Sequence, residues 1–467
     1  MPTQPDHRTV LFIAAAFPPL NSSGTARSAK FVKYLSRFGW RPVVVTVDWE
    51  QDSLGNPLDH TLMREIPEDV PVYRSKFFNP AVSLGRVWLS LRSQPDGTSE
   101  TGAEVRTYSE IQSDEGNRHG RLYRALRRFY HFTIGPAGDE LFYWSLKLLP
   151  TSLKIARHHR VAAVYVSVSP WTAAILGVLL KHVLRRPLIV DFRDYWTMWA
   201  VKGVDPIRDQ LNARIERWIL RQADRIICVH HAMAADFEML EPACAGKCRV
   251  ITNGYDVEDF SGTAFSLSSH GQTEVCPTLL THTGIAWGDA ALPLLQALSQ
   301  LKREDTGHRL CVNFIGGLPA SSLRFINDQQ LEDLVHVQKR VPHHEAIERM
   351  READVLLLLI VGNEGGRKWY PGKLFEYMYA RRPVLAVAPE GIAARLIHEA
   401  GIGLAVAPHE TERLTKVLKD IAADVAAFRE QYFHPKESVI EQFDRVTLTR
   451  KLASVFDEVC LSLDVRA

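Results

Sequence analysis

Short apolar runs alternate along this chain with longer segments whose apolar side chains recur every three or four residues. Near the start, an apolar run at residues 9–16 is followed at residues 26–39 by a segment with one apolar helical face, for which Gly39 is the predicted C-terminal stop, and then by a second run at 41–48. Parallel strands need a crossover between them, which is usually a helix. This order therefore predicts a strand, a helix and a parallel strand.

The same alternation continues to the end of the chain and predicts its fold class. Further strand candidates are residues 162–168, 187–191, 224–229, 278–283, 310–315, 355–361 and 384–388, each separated from the next by one or more helical segments. Repeated strand–helix units predict an α/β protein with two doubly wound, Rossmann-like sheets. The apolar segment at residues 171–180 ends at Lys181, well short of the ~18 residues of a membrane span, so we expect no transmembrane helix.

Composition narrows the class of protein. The chain has 467 residues, 46% of them hydrophobic and 24% charged, as expected for a soluble protein of two or three domains. A net charge of +2 gives no overall attraction to nucleic acid. The six cysteines are scattered without a Cys-x-x-Cys pair, so we expect ordinary thiols, no metal site and a reducing, cytoplasmic compartment.

One polar region interrupts the alternation. Residues 92–119 contain few large apolar side chains and are predicted to be a flexible insertion in the first domain. Residues 118–132 then combine an apolar helical face with several arginines on the other. Such a helix suits the anionic inner face of a cell membrane, and it equally suits a helix packed on its own domain with a solvated basic face.

The densest group of candidate functional residues lies at residues 353–389, where two apolar runs flank a Gly-Gly loop and a short helix that Pro371 could open as its first residue. Arg367, Lys368 and Lys373 would converge with the helix N-terminus at the carboxyl end of a strand, which favours a phosphate or diphosphate ligand. Glu376 follows Lys373 on the same helical face and could accept hydrogen bonds from sugar hydroxyls. The alternative is a simple surface ion pair.

A second group follows the strand at residues 187–191. The carboxyl end of this strand carries Asp191, Arg193 and Asp194, which could bind the hydroxyl groups of a substrate or form a structural ion cluster. Ser169, at the end of the preceding strand, is a candidate lining residue.

The segment PGKLFEYMYARRPVLA, residues 371–386, resembles the signature region of family-4-like glycosyltransferases of the GT-B fold. The resemblance implies that Glu376 holds the ribose of a nucleotide-sugar donor. A second glutamate of the family, which contacts the donor sugar, is replaced here by Lys368. In the subgroup with PGKLFEY, Lys373 would take over part of the phosphate binding.

Other segments are similar to the same family in the same order. The resemblance implies that Gly24, with Arg27 beside it, approaches the donor phosphates and the acceptor, and it supports a functional role for the DFRD-x-W segment that begins at Asp191. The THTGIAW segment implies that Gly284 lies near the diphosphate, although Ile285 and Ala286 stand where the family often has arginine and lysine. Gly317, at the end of a later strand, is a further candidate.

The resemblance implies an overall arrangement as well as an activity. An acceptor-side domain would span residues 1–255, a nucleotide-sugar domain residues 275–430, and a last helix at 436–465 would return to the first domain, with the active site in the cleft between the domains. The implied activity is sugar transfer, with retention, from a nucleotide-diphosphate sugar to a glycan or lipid-linked glycan in polysaccharide or glycolipid synthesis. No cofactor or metal is expected, since the sequence contains no Asp-x-Asp.

Two departures from the family pattern leave other functions open: Lys368 stands at a family glutamate, and Ile285 and Ala286 stand where arginine and lysine are frequent. One is a catalytically silent GT-B protein that serves as a partner in a polysaccharide assembly complex, and the other is a sugar-nucleotide epimerase of the same fold.

Overall fold

The computed structural model describes residues 8–51, 57–77, 141–198, 206–261, 278–304 and 309–464. The predicted insertion at residues 92–119 and the basic segment at 118–132 lie outside this part of the chain. The chain divides into two compact units, one formed by Met1–Ile251 with Thr449–Ala467 and the other by Thr252–Leu448. Within the described ranges, no helix has both the length and the hydrophobicity that a membrane crossing requires.

The first unit is built on a seven-stranded parallel sheet in the order β3-β2-β1-β4-β5-β6-β7. The strands are β1 (Arg8–Ala14), β2 (Trp40–Val47), β3 (Val72–Ser75), β4 (Ala163–Val168), β5 (Leu188–Phe192), β6 (Arg225–Cys228) and β7 (Cys248–Val250). The helices are α1 (Ser23–Tyr34), α2 (Phe142–His158), α3 (Ala173–Leu184), α4 (Pro206–Gln222) and α5 (His231–Leu240). Strand order reverses between β1 and β4, where the loops after the two strands diverge.

Local sequence explains how strand β4 and helix α1 of this unit form. Every residue of β4 is buried, so this strand is covered on both faces and must be apolar almost throughout. Helix α1 begins where the Ser22 hydroxyl accepts a hydrogen bond from the Thr25 N–H, and one turn of 3-10 helix then leads to Gly39. Gly39 has φ +79°, so the predicted C-terminal stop at this glycine is confirmed.

The second unit is built on a six-stranded parallel sheet in the order β10-β9-β8-β11-β12-β13. The strands are β8 (Thr278–Thr283), β9 (Leu310–Ile315), β10 (Val335–Gln338), β11 (Val355–Leu359), β12 (Val384–Val387) and β13 (Gly403–Val406). The helices are α6 (Leu292–Arg303), α7 (Ala320–Asp328), α8 (His343–Glu352), α9 (Glu364–Arg367), α10 (Gly372–Ala380), α11 (Ile392–Ala400), α12 (Thr411–Ala423), α13 (Val425–Tyr432) and α14 (Glu437–Ile440). Strand order reverses here between β8 and β11. The predicted α/β class with two doubly wound sheets is confirmed.

Two local predictions in this unit need correction. The Gly-Gly segment forms the short helix α9 instead of a loop, because the Asn363 side chain caps it by accepting from the Gly366 N–H at 2.9 Å. A Cβ atom on Gly366 would lie 2.0 Å from the Val361 carbonyl oxygen, so only glycine fits this turn. In addition, Pro371 is the N-cap of α10 and not its first helical residue.

The last helix, α15 (Arg445–Asp464), contributes residues to both units, and from Thr449 onward it belongs to the first. There the Phe456 ring packs against the rings of Trp40 and Tyr165, with centroid distances of 5.2 and 5.9 Å. The helix is therefore part of the core of the first unit.

Candidate active site

In the first unit, the guanidinium of Arg193 lies at the point where strand order reverses. Its Nε donates to the Val168 carbonyl oxygen at 3.1 Å and its Nη2 to the Ser169 carbonyl oxygen at 2.8 Å. A Cβ atom on Gly24 would lie 1.2 Å from Nη1, so the guanidinium occupies the space that a side chain at Gly24 would fill. The predicted residues Gly24, Ser169 and Arg193 thus come together, with Ser169 contributing its backbone carbonyl.

Arg193 presents a cation at the carboxyl ends of β1 and β4. Its side chain is partly exposed, and among the described residues Nη1 has no hydrogen-bond partner. Burial lowers the pKa of Arg193 from its ordinary value, while the neighbouring carboxylate of Asp194 opposes this change. An arginine remains protonated under these conditions. Asp194 is exposed beside it, so Arg193 and Asp194 place a cation and a carboxylate at this edge of the sheet.

Arg27 and Asp191 lie inside the first unit, where neither side chain has any exposed surface. Nε of Arg27 donates to Oδ2 of Asp191 at 2.7 Å and Nη2 donates to Oδ1 at 3.0 Å. Nη2 also donates to the Ile251 carbonyl oxygen at 2.8 Å, and the Tyr165 hydroxyl donates to Asp191 at 2.5 Å. The prediction that Arg27 and Asp191 contact substrate is corrected: with no exposed surface, they form the structural ion cluster that was the alternative for Asp191.

This buried pair nevertheless determines the geometry of the exposed residues. Arg27 is one turn along α1 from Gly24, and Asp191 precedes Arg193 by two residues on β5. Burial by itself would lower the pKa of Arg27, but the charge and hydrogen bonds of Asp191 raise it above its ordinary value. The pair therefore joins the start of α1 to the end of β5 and keeps Gly24 next to Arg193.

Glu216 of α4 contacts the segment that follows Arg193, and it was not singled out from the sequence. Its side chain is buried and accepts a hydrogen bond from the Thr197 hydroxyl. Burial raises the pKa of Glu216 to about 7, against hydrogen bonds from Thr197 that lower it. From the sequence alone, a glutamate on a helix is predicted to be exposed, and its burial becomes evident only from the packing of that helix.

In the second unit, Lys373 lies in the first turn of α10, at the point where the sheet order reverses. Its Nζ lies 3.0 Å from Nε2 of His282 on β8 and 3.1 Å from the position that a Cβ atom on Gly284 would take. Burial lowers the pKa of Lys373 to about 7, the charge of Arg340 acts in the same direction, and Glu376 opposes them. His282 and Arg340 were not singled out from the sequence.

The loops after β8 and β9 pack backbone against backbone. Gly284, Gly316 and Gly317 have φ values of +78°, +127° and +107°, which side chains rarely adopt. A Cβ atom on Gly316 would lie 2.8 Å from Cα of Gly284, and the Gly284 N–H donates to the Ile315 carbonyl oxygen at 2.7 Å. Beyond Gly284 the loop exposes Ile285 and Trp287, the latter at 51%. The glycines let bare backbone lie beside Lys373.

Glu376 lies one turn after Lys373 and is partly exposed. Nε2 of His343, the first residue of α8, donates to Oε1 of Glu376 at 3.0 Å. Burial would raise the pKa of Glu376, but the hydrogen bond from His343 and the charges of His343, Arg445 and Lys373 hold it below its ordinary value. The carboxylate is therefore ionised and anchored through one oxygen.

The other two predicted cations, Arg367 and Lys368, lie at the end of α9, and their convergence with Lys373 stays a prediction. Arg367 is exposed at the end of α9, and its Nε lies 3.3 Å from Oε1 of Glu364. Lys368 is the C-cap of the same helix and is partly buried. Of the three predicted cations, Lys373 is the one that reaches Gly284, and the cation that acts on its pKa is Arg340.

Comparison with known proteins identifies the family. The Glycosyl transferase 4-like domain matches residues 24–254, and the domain called Glycosyl transferases group 1 matches residues 277–424. The chain belongs to the family-4-like glycosyltransferases. In this family member the first match contains the Arg193 site and the second contains the Lys373 site.

Similar proteins agree with this family and with its fold. WcaL of Salmonella typhimurium, a candidate colanic acid biosynthesis glycosyltransferase, is 26% identical over 35% of this chain, and the match spans 41% of WcaL. HepE from Anabaena, solved in complex with UDP, is 15% identical with a TM-score of 0.60 over 97% of this chain and 100% of HepE. Sucrose-phosphate synthase from Thermosynechococcus elongatus is 14% identical with a TM-score of 0.66 over 98% and 100%. The predicted GT-B fold is confirmed.

Proposed function

We propose that this glycosyltransferase moves a sugar, with retention, from a nucleotide-diphosphate sugar to a glycan or lipid-linked glycan in cell-surface polysaccharide synthesis. The observation that carries the proposal is the position of Lys373, next to Gly284 at the N-terminus of α10. Support also comes from WcaL and from the complexes of HepE with UDP and UDP-glucose. A lipid-linked acceptor would bring the basic segment at residues 118–132 to an anionic membrane surface.

The donor would bind to the second unit. Lys373, Arg340 and the N–H groups at the start of α10 would hold the diphosphate, with Gly284 and Gly317 allowing close approach of the backbone. Glu376, ionised and anchored by His343, would accept hydrogen bonds from the ribose hydroxyls through its other oxygen. No metal is needed in this arrangement, because protein cations carry the charge.

The acceptor would bind to the first unit, at Arg193 and Asp194. The bond from the anomeric carbon to the diphosphate breaks, a bond from the anomeric carbon to the acceptor oxygen forms, and the acceptor proton leaves with the departing diphosphate. Lys373 and the α10 N-terminus would stabilise the charge that develops on that leaving group. Arg193, held by two carbonyl oxygens, would orient the acceptor.

A donor panel tests the proposal directly. Purified full-length protein is mixed with UDP-glucose, GDP-mannose, ADP-glucose or dTDP-glucose, and binding is followed by thermal stabilisation and calorimetry, turnover by release of free nucleotide. We expect one nucleotide to bind and to be released slowly in the absence of an acceptor. Failure of all four to bind would overturn the donor site around Lys373.

The same panel separates transfer from the silent-partner alternative, which is favoured by Lys368 at the expected glutamate and by Ile285 and Ala286 after Gly284. Binding without nucleotide release, even when membranes with lipid-linked oligosaccharides are added, would favour the silent partner. Release that these membranes accelerate would exclude it. Interconversion of donor sugars without release would instead indicate an epimerase.

We expect Gly24→Ala to lower transfer by on the order of 10²-fold while the protein stays folded. The new methyl group would displace the Arg193 guanidinium from the two carbonyl oxygens that hold it, but it meets the end of a side chain and not the backbone. Transfer kinetics and melting temperature measure the two effects. Arg193→Met should give a similar loss, and a wild-type rate for Gly24→Ala would contradict the role of Arg193.

A further inference from the structure

His282 makes polar contacts with Leu357, Lys373 and the backbone of Ile285 although its side chain is completely buried. It lies near the end of β8 and has no exposed surface. Its Nδ1 lies 2.9 Å from the carbonyl oxygen of Leu357 on the neighbouring strand β11, and its Nε2 lies 3.0 Å from Nζ of Lys373. The imidazole therefore connects the interior of the sheet to the predicted phosphate-binding lysine.

These contacts determine which nitrogen of His282 carries the proton. A carbonyl oxygen can only accept, so Nδ1 must be the donor to Leu357, and Nε2 of the neutral ring is left with a lone pair. Burial and the charge of Lys373 hold the pKa of His282 well below its ordinary value, which keeps the ring neutral. Nε2 accordingly accepts a hydrogen bond from Lys373.

An acceptor of this kind can hold Lys373 in either charge state. Both a neutral amine and an ammonium have an N–H to donate to Nε2, so the position of Nζ does not depend on its protonation. The remaining N–H or lone-pair directions are then available on the side of Gly284. His282 is thus suited to keep Nζ in place while the charge of Lys373 changes.

Other titratable groups around Lys373 come from several elements. They are Glu376 on α10 itself, Arg340 after β10, His343 of α8 and Arg445 of α15, which both act on Glu376, and Tyr377, whose hydroxyl contacts Thr283 and Leu357. Burial raises the pKa of Tyr377 to about 12, so this phenol stays neutral near pH 7. Glu376 is already ionised before a donor binds, so its charge does not change on binding.

We propose that His282 is a positioning residue that presents Lys373 to the diphosphate, and that binding of a nucleotide sugar draws one proton onto Lys373. This inference rests on the proposed donor site. Before a donor binds, burial lowers the pKa of Lys373 to about 7. The two negative charges of a bound diphosphate stabilise the ammonium and raise this pKa in the complex.

The direction of the pH dependence follows from this change. Below pH 7 Lys373 already carries its proton before a donor binds, so donor affinity does not depend on the titration of this group there. Above pH 7 the proton must be taken up with the ligand, so affinity falls by about tenfold per pH unit until the higher pKa of the complex is reached. Binding should therefore be tightest on the acidic side of neutrality.

Calorimetric titration of the purified full-length protein with the four nucleotide sugars of the panel tests the inference. Their diphosphates are diesters that do not titrate near neutral pH, so the dependence of binding heat on buffer ionisation enthalpy counts protons taken up by the protein. For the nucleotide sugar that binds, we expect uptake of about half a proton at pH 7 and nearly one at pH 8. Lys373→Met should abolish the uptake.

Two substitutions of His282 separate positioning from simple structural support. His282→Phe removes the acceptor, so affinity should fall about tenfold and the pH above which it declines should move to lower values. His282→Gln offers an acceptor oxygen to Lys373 and should recover much of both properties. Melting temperatures establish whether each variant is folded. The number of protons that the wild-type protein takes up is measured without any variant, so that test remains valid if a variant does not fold.

The outcomes of these experiments distinguish failure of this inference from failure of the proposed function. If none of the four nucleotide sugars binds, the proposed function fails and this inference falls with it. Binding without proton uptake at pH 7 and 8 leaves the donor site intact and overturns proton coupling. A folded His282→Phe variant with the wild-type affinity and pH profile overturns the positioning role.

Discussion

Replacing Asp191 with alanine is expected to lower the free energy of unfolding of the first unit by about 3–5 kcal/mol. The substitution would leave the guanidinium of Arg27 buried without its counter-ion, and it would also remove the acceptor of the Tyr165 hydroxyl. Such isolated buried charges are far more costly than the loss of a surface pair. Urea unfolding followed by tryptophan fluorescence measures the effect, because Trp40 and Trp144 are buried in the first unit.

A matched control is Asp333→Ala, which breaks the exposed Lys302–Asp333 pair of the second unit. Here the expected loss is below about 1 kcal/mol, since solvent screens exposed pairs. A further comparison is the double variant Arg27→Met with Asp191→Leu, which removes both charges and should recover much of the stability. Equal losses for Asp191→Ala and Asp333→Ala would contradict the account of the buried pair.

Replacing Lys373 with methionine is expected to weaken nucleotide-sugar binding by on the order of 10²-fold at pH 7. Methionine keeps much of the side-chain volume next to Gly284 but removes the charge and the donor that we assign to the diphosphate. Glu376→Ala should weaken binding as well, by about tenfold, through loss of the ribose contacts. Calorimetric titration with the nucleotide sugar selected by the panel measures both.

The control for Lys373→Met is Lys416→Met on α12, an exposed lysine of the same unit that has no ion pair among the described residues. Its donor affinity should equal that of the wild type. Unchanged affinity in both Lys373→Met and Glu376→Ala would show that the diphosphate is bound elsewhere.

Most of the fold could be predicted because parallel strands covered on both faces must be apolar. That pattern located β4 and β11, every residue of which is buried. It did not locate β7 or β10, which are short edge strands with polar residues and partial exposure. Their pairing is decided by the neighbouring strand and leaves little trace in their own sequence.

The candidate site was predictable only in part, because its polar contacts join residues distant in sequence. Lys373 and Glu376 could be proposed from a local pattern, but the contact between His282 and Lys373 spans 91 positions. Taken singly, Arg27 and Asp191 are each plausible ligand-binding residues, although they pair with each other across 164 positions of the chain. Their pairing becomes visible only when α1 and β5 are placed side by side.

The packing of Gly284 against Gly316 also affects how this protein could be engineered. A Cβ atom on Gly316 would meet the backbone of Gly284, one on Gly284 would meet the side chain of Lys373, and both residues have positive φ, so these two positions cannot contribute diversity to a mutant library. Ile285 and Trp287 follow on the same loop and are partly exposed. A directed-evolution search for altered donor preference would therefore randomise Ile285 and Trp287 and leave the two glycines unchanged.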